Sequence, residues 1–390
     1  MQSAQFLNYL LLLLLTSITL EGMLLALRRS ANWHPAESLV NFVLGISNLA
    51  VGVLFVAIHL AVYGYIQAHW SLQLDFGNYL TNIAIAFLAY DFLYWVSHWT
   101  HHKCALLWCN HLIHHSGTAF NLTTAVRIGW LGNFTVWLFF LPMAMLGIPV
   151  EHYLLVISAQ LIYQFFIHTT LVGELGVLEW VLVTPSQHRV HHASNDTYLD
   201  KNFGCFLVIW DQLFGTYQRE LPQEPVRYGV TTPIIQTGSP GYLNFFMYVH
   251  CWRSARAARG LGAKLRVLFG NPTHTEMHDT RHNPTPVNEQ SWFDYLPVLF
   301  LGFYLVTQYE SLPTGDAILA ATVFLLAANS AGHRDGYVQA VRWPLRIGQT
   351  LACLYLWWHA PAGGWLLVLA SLTSFLPFLA NLCKFTAIKE

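Results

Sequence analysis

Residues 80–103 read LTNIAIAFLAYDFLYWVSHWTHHK. The run is apolar for the roughly 20 residues that a helix needs to cross a hydrocarbon core, is interrupted by one acid, Asp91, and ends in histidines at 98, 101 and 102. It reads as a membrane helix whose end delivers imidazoles to one face of a bilayer.

Outward from this segment, runs of similar character occupy 6–27, 38–66, 130–148, 151–171, 292–309, 317–331, 347–359 and 364–382, each without Lys or Arg and with at most one acid. The chain of 390 residues is 55% hydrophobic and only 10% charged, with a mean hydropathy of +0.41; a soluble domain carries about a quarter charged residues. This excludes disorder, a collagen repeat, a coiled coil and a nucleic-acid binder. The first run lacks a basic leader and an A-x-A pattern and ends in Arg28 and Arg29, so it reads as an anchor and not as a removable signal peptide. Six cysteines form no CxxC pair, which argues against a disulfide framework or a zinc ribbon.

Counting each run as one crossing, with the N-terminus outside, puts all 19 Lys and Arg on one side. The opposite loops, 67–79, 149–150, 310–316 and 360–363, contain none, as the positive-inside rule requires. The expected fold is all-α, a polytopic transmembrane helical bundle with a cytoplasmic, histidine-rich di-metal cap. Its parts are N-terminal membrane helices at 1–79, a catalytic core at 80–220, a cytoplasmic segment at 221–290 and C-terminal membrane helices at 291–390. The sequons at Asn121, Asn133 and Asn195 fall in spans or on the cytoplasmic side and read as chance.

The 20 histidines outnumber Lys and Arg. His98 and His102 form HxxxH; His111, His114 and His115 form HxxHH; His188, His191 and His192 repeat HxxHH; and His168 ends the fifth run. Residues three and four apart share a helix face, and each neutral imidazole gives one nitrogen to a metal, so nine of them suffice for two ions. Solvated interfacial histidines are the plain alternative for any one of these, but not for matching spacing three times over. Imidazole suits iron, zinc and copper alike; no H-E-x-x-H is present, which disfavours zinc hydrolysis. His101, outside the spacing, is expected to face water or headgroups. His274, His278 and His282 lie in a loop flanked by Pro272, Pro284 and Pro286, which argues against a second metal site there.

Taken together, Asp91 to His102, Leu107-Trp108, His111 to His115, Asn121, Thr123 to Arg127, Gln164 to Thr169, Thr184 to His192, Asn195, Tyr198, Asp200 to Gly204, Trp210-Asp211 and Phe214 to Thr216 resemble the fatty acid hydroxylase / sterol desaturase superfamily of membrane non-haem di-iron oxygenases. The hydrophobic part after Gln290 resembles the alkylglycerol monooxygenase branch. Lys103 departs from the pattern, since many members carry an acid there, and Trp99 replaces the usual Arg. The resemblance implies that His98, His102, His111, His114, His115, His188, His191 and His192, with His168 as a further ligand, hold two iron ions. It implies O2-dependent hydroxylation of a lipid C–H bond in an ether lipid, sterol or fatty acyl chain, or desaturation by the same centre. A separate electron donor, a tetrahydropterin or an electron-transfer protein, would serve it in a bacterial inner membrane or endoplasmic reticulum. A metal transporter is the more distant alternative; its ligands would lie near the bilayer midplane on broken helices.

Asp91, a carboxylate inside an apolar run where an unpaired charge is expensive, is expected to accept an N–H from a ligand histidine. Asn121 and Asn195 are expected to orient ligands or a bound water. Trp95, Trp108, Tyr94 and Tyr198 either line a lipid channel or form an interfacial belt.

Overall fold

A computed structural model of the chain describes residues 2–74, 76–231, 239–272, 295–308, 312–330, 336–359 and 364–373. Among these the architecture is helical, with extended pairing limited to two isolated bridges, Leu182 with Leu207 and Ala193 with Tyr228. The first helix, α1 (Gln2–Leu27), is followed by α2 (Pro35–Trp70), which opens on a proline whose missing N–H is harmless in a first turn. In α3 (Tyr79–Lys103) the Asn78 side chain caps the start by accepting from Thr81 N at 3.1 Å. Cys104 is the elbow to α4 (Ala105–His115).

Among the described residues two helices, Tyr9–Leu27 and Tyr79–Lys103, are long and apolar enough to cross a membrane, and α2 makes a third if its halves Pro35–Gly52 and Phe55–Trp70, set 50° apart, count as one. The run at 130–148 departs from expectation. It folds as two short 3-10 turns, Trp130–Phe134 and Val136–Phe140, and α5 (Leu141–Leu146). Side chains take its amides: Asn244 Oδ1 accepts Trp130 N at 2.7 Å and Asn110 Oδ1 accepts Gly132 N at 2.9 Å. Backbone bonded to side chains does not need the i−4 ladder, so a run of spanning composition is folded against protein instead.

The next helix, α6 (Val150–Phe166), stops two residues short of His168. Then come α7 (Pro185–His191), started by a Thr184–Gln187 capping box, and α8 (Ile209–Phe214), ended by left-handed Gly215. Beyond them lie α9 (Pro240–Ala257), α10 (Leu261–Phe269), α11 (Leu296–Gln308), α12 (Thr314–Ser330), α13 (Gly336–His359) and α14 (Gly364–Thr373). Residues 374–382 of the last apolar run, and His274, His278 and His282, lie outside the described residues.

Three apolar clusters position the site. Val43 and Leu44 of α2 are buried with Leu301, Phe324, Leu356 and Leu367 of α11 to α14. Ala86 and Tyr90 of α3 pack with Phe140, Met143, Tyr153 and Val156. Ala105, Cys109 and Leu112 of α4 pack with Phe246, Met247 and Cys251 of α9. Two buried acids fasten the loops between them. Glu21 accepts from Leu122 N at 2.6 Å and Thr169 Oγ1 at 2.5 Å, and Glu37 accepts from Thr118 N at 2.8 Å and Thr118 Oγ1 at 2.7 Å. Bonds to a charged acceptor are each worth about 1.5–3 kcal/mol, enough to hold α1 and α2 against the histidine-bearing segments.

Candidate metal centre

The nine imidazoles gather into two groups. His98, His102, His111, His115 and His191 form one, and His114, His168, His188 and His192 the other, with ligand nitrogens within 4.8 Å of one another in each. Helix geometry explains the partition. Residues four apart stay on one face, so His98 with His102, His111 with His115 and His188 with His192 remain together. The intervening member of each HxxHH lies 100° from its neighbour, and His114 and His191 cross to the opposite group. Each group thus draws on at least three segments.

Outer-ring hydrogen bonds orient the rings. His98 Nδ1 donates to Phe203 O at 2.9 Å, His191 Nδ1 to Lys201 O at 2.8 Å and His102 Nδ1 to Asp200 Oδ1 at 3.3 Å. In the second group His114 Nδ1 donates to Arg127 O at 3.2 Å and His168 Nδ1 to Gln164 O at 2.6 Å. A nitrogen beside a carbonyl must carry the proton, which leaves the lone pair on Nε2. Nε2 atoms then converge: His98 on His111 at 2.9 Å, His115 on His111 at 3.1 Å, His188 on His168 at 2.8 Å and His192 on His188 at 3.2 Å.

The contact between His114 and His168 is the most telling. Both rings have Nδ1 committed to a carbonyl, yet their Nε2 atoms are 3.3 Å apart. Two lone pairs facing each other repel unless a cation lies between them. His102 Nε2 and His191 Nε2 are buried with no protein partner. Spacings near 3 Å are those of neighbouring imidazole donors about 2.1 Å from one ion, so the donor set fits metal. Burial first, and neighbouring imidazoles second, hold His111, His115, His188 and His192 well below the ordinary histidine range. Burial pushes His114 down to about 4. All are neutral, hence competent ligands, at pH 7.

Several expectations need correction. Asp91 accepts no histidine: its oxygens take Phe206 N at 2.9 Å, Leu207 N at 3.2 Å and Trp210 Nε1 at 2.9 Å. Asn195 is likewise occupied away from the rings, donating to Glu224 Oε1 at 3.2 Å and Pro225 O at 3.1 Å and accepting from Arg227 N at 2.8 Å. Asn121 caps the turn Leu122–Val126. His101 does not face water; it is 3% exposed. Trp95 is tied to Asp211 and Tyr198 to Glu224 O, whereas Trp108 lies against His102 and His115.

Sequence reasoning missed the loop at 200–204 as a unit. It supplies the partners of His98, His102 and His191, and in it Asp200 and Asn202 adopt left-handed backbone at φ 56° and 54°. Asp211 holds it by accepting from Phe203 N and Gly204 N at 2.8 Å, Trp95 Nε1 at 3.0 Å and Thr216 Oγ1 at 2.6 Å. Lys103 pairs with Asp200, which also accepts from His102, so the departure at Lys103 is absorbed by an acid elsewhere. The signal was two non-glycine residues, an Asp and an Asn, in a short run ending in Gly204. A cavity of about 360 Å³ reaches His98 and His111 from the α2, α3 and α6 side, with Tyr94 among its lining residues.

Residues 83–216, which contain all nine imidazoles, match the family model for fatty acid hydroxylase. The chain is 38% identical over 256 residues to the alkylglycerol monooxygenase of Danio rerio, covering 63% of this chain and 56% of that protein. It is 37% identical over 237 residues to the Homo sapiens alkylglycerol monooxygenase, covering 60% and 52%. A more distant relative is the ornithine lipid hydroxylase OlsE of Rhizobium tropici, 26% identical over 150 residues, covering 38% and 45%. The chain spans about half the length of the curated relatives it matches. No solved structure matches it. The domain match and the histidine groups together point to iron binding.

Proposed function

We propose that this protein is a membrane-bound non-haem di-iron oxygenase that hydroxylates a C–H bond of a lipid, with an ether lipid as the leading substrate. The observation that carries the reading is the pair of converging imidazole groups, five donors and four, side by side in a fatty acid hydroxylase domain. His98, His102, His111, His115 and His191 would hold one iron, and His114, His168, His188 and His192 the other. When bound, such a centre supplies O2-dependent oxidation of an unactivated C–H bond, with electrons from an external reductant. A tetrahydropterin or an electron-transfer protein fills that role.

The chain's own residues do the rest. The loop at 200–204 keeps Nε2 lone pairs inward by holding the outer nitrogens of three rings. The apolar walls of the adjoining cavity receive an alkyl chain and exclude water from the reacting region. In an ether lipid, hydroxylation of the carbon beside the ether oxygen gives a hemiacetal that collapses to an aldehyde and an alcohol. Similarity to alkylglycerol monooxygenases supports this substrate class, and similarity to a lipid hydroxylase supports hydroxylation over desaturation.

In this reading Asp91 and Asn195 act at a distance, as positioning residues. The chain is multi-pass with its N-terminus outside and the histidines on the cytoplasmic face, in a bacterial inner membrane or endoplasmic reticulum. Membrane helices at 1–79 and 291–390 flank the core at 80–220 and the cytoplasmic segment at 221–290. With 130–148 and 151–171 turning back together as one re-entrant pair, every Lys and Arg still falls on one side, which supports this arrangement.

The test is metal analysis and Mössbauer spectroscopy on iron-57-enriched protein purified in detergent, beside a His114→Ala, His191→Ala double variant that removes one donor from each group. Two irons per chain, lost in the variant, and aldehyde release from a 1-O-alkylglycerol supplied with reductant are expected. Stoichiometric zinc without O2 consumption, or no retained metal, would sink the oxygenase.

A further inference from the structure

The stretch 239–272 carries five cations, Arg253, Arg256, Arg259, Lys264 and Arg266, and no Asp or Glu. All five are exposed, and none forms a salt bridge among the described residues. The stretch folds as α9, a corner at Gly260 with φ 84°, and α10. Helix α10 has nine residues, none of them buried, and a helix of that length is marginal in water by itself. Its far end is what the protein holds: Leu268 packs against the cluster of Cys109 and Cys251, and Gly270 O accepts the Ala105 amide at 2.9 Å. Residues 261–266 are all exposed.

The outward side has the pattern of a helix lying on a bilayer. Leu261, Leu265 and Phe269 are spaced four apart and share one face, with Leu261 73% and Phe269 57% exposed. At about 100° per residue, Lys264 and Arg266 stand on opposite flanks of that stripe. Long cationic side chains there keep their stems on apolar surface and their charges in water. Helix α9 adds an order in depth. Phe245, Val249, Trp252 and Arg256 share one face and are all exposed, so this face runs from apolar groups through an indole to a guanidinium. The same order is met on passing from hydrocarbon through the aromatic belt to the headgroups. An acidic protein surface would match the charges but leave Trp252, Leu261, Leu265 and Phe269 in water.

We infer that the corner formed by α9 and α10 is a docking surface for anionic phospholipids of the cytoplasmic leaflet. Helix α10 lies in the plane of the interface, with Leu261, Leu265 and Phe269 inserted and the five cations against lipid phosphates. This rests on the membrane arrangement proposed above and is independent of the oxidation chemistry.

The experiment measures amide hydrogen exchange at 261–269 in the full chain, reconstituted in nanodiscs of phosphatidylcholine alone or mixed with phosphatidylglycerol. Exchange should be slower in the anionic discs by about fivefold or more, the effect of one basic side chain at an anionic surface. High salt should abolish the slowing. So should the combined variant Arg253→Gln, Arg256→Gln, Arg259→Gln, Lys264→Gln, Arg266→Gln, and so should Leu261→Ser, Leu265→Ser, Phe269→Ser, which keeps every charge. The salt arm uses the wild type, so the test stands even where a variant fails to fold. Equal exchange in the two discs, or slowing that persists in high salt or in either variant, overturns the docking surface. Exchange that slows only with two chains per disc gives the face to a second copy, and slowing only on addition of polyglutamate gives it to an acidic protein; either result overturns the lipid. A chain that enters neither disc removes the membrane arrangement itself.

Discussion

His98 gives its Nδ1 hydrogen to the carbonyl of Phe203 at 2.9 Å. The amide of the same Phe203 donates to Asp211 Oδ1 at 2.8 Å, so a carboxylate with no histidine contact governs the direction of a histidine lone pair. Replacing Asp211 by Asn turns an acceptor toward which four donors point into a group with one acceptor oxygen. Partners one step removed from a ligand typically change metal affinity by 10–100-fold. We expect Asp211→Asn to weaken iron binding by about tenfold or more, read by competition with a chelator. Unchanged affinity would mean that the loop is held by its other contacts.

Asp200 separates two roles in one carboxyl. Its burial opposes the charge, but hydrogen bonds from His102 and Lys103 outweigh this and hold it at about 2. The Lys103 and Asp200 side chains are 34% and 40% exposed, and such pairs contribute at most about 1 kcal/mol. Lys103→Met should therefore change iron affinity only a few-fold, whereas Asp200→Leu, which leaves the outer nitrogen of His102 without an acceptor, should lower it by about tenfold or more. Equal effects in a chelator titration would show that the ion pair, and not the histidine contact, is what matters.

Gly204 is needed for lack of room. A Cβ there would lie 2.8 Å from Leu207 O and from Val183 Cγ2 and 2.9 Å from Asp211 Oδ2. Gly204→Ala should destabilise the fold by about 1–3 kcal/mol and lower iron content. Gly173→Ala, with nothing within 4 Å, is the matched control. Thermal melts of the two variants side by side decide it.

Acid should unfold the metal-free protein in a defined window. His114 stands at about 4 in the folded chain against 6.5 for the free group. Between these values the unfolded chain binds a proton that the folded chain does not, so this contribution to stability is whole above about pH 6.5 and shrinks as pH falls, by roughly 3 kcal/mol at pH 4. The melting temperature of chelator-treated protein should drop over this range, and His114→Asn should flatten the drop. An identical slope in that variant would refute the assignment.

The histidine pattern was legible in the sequence because imidazoles four apart on a helix cannot avoid sharing a face. Their division into five and four was not, since His114 and His191 change sides through the mutual placement of three segments. Hydropathy identified α1 and α3 but misread 130–148, because composition does not reveal that Asn110 and Asn244 capture its backbone amides. Asp91 was recognised as a buried acid needing donors, yet its donors lie 115 to 119 residues away, beyond the reach of local spacing. His101 was misplaced because one turn of helix decides between headgroup and interior.

Ala105, the first residue of α4, donates its amide to Gly270 O at 2.9 Å, and the elbow residue Cys104 lies 3.8 Å from Leu268 O. A nascent chain released as far as residue 216 already contains all nine imidazoles of the two groups, but the backbone bond from Ala105 at the joint between its first two histidine helices cannot form until translation has passed residue 270. Assembly of the centre is thereby tied to a late, long-range closure.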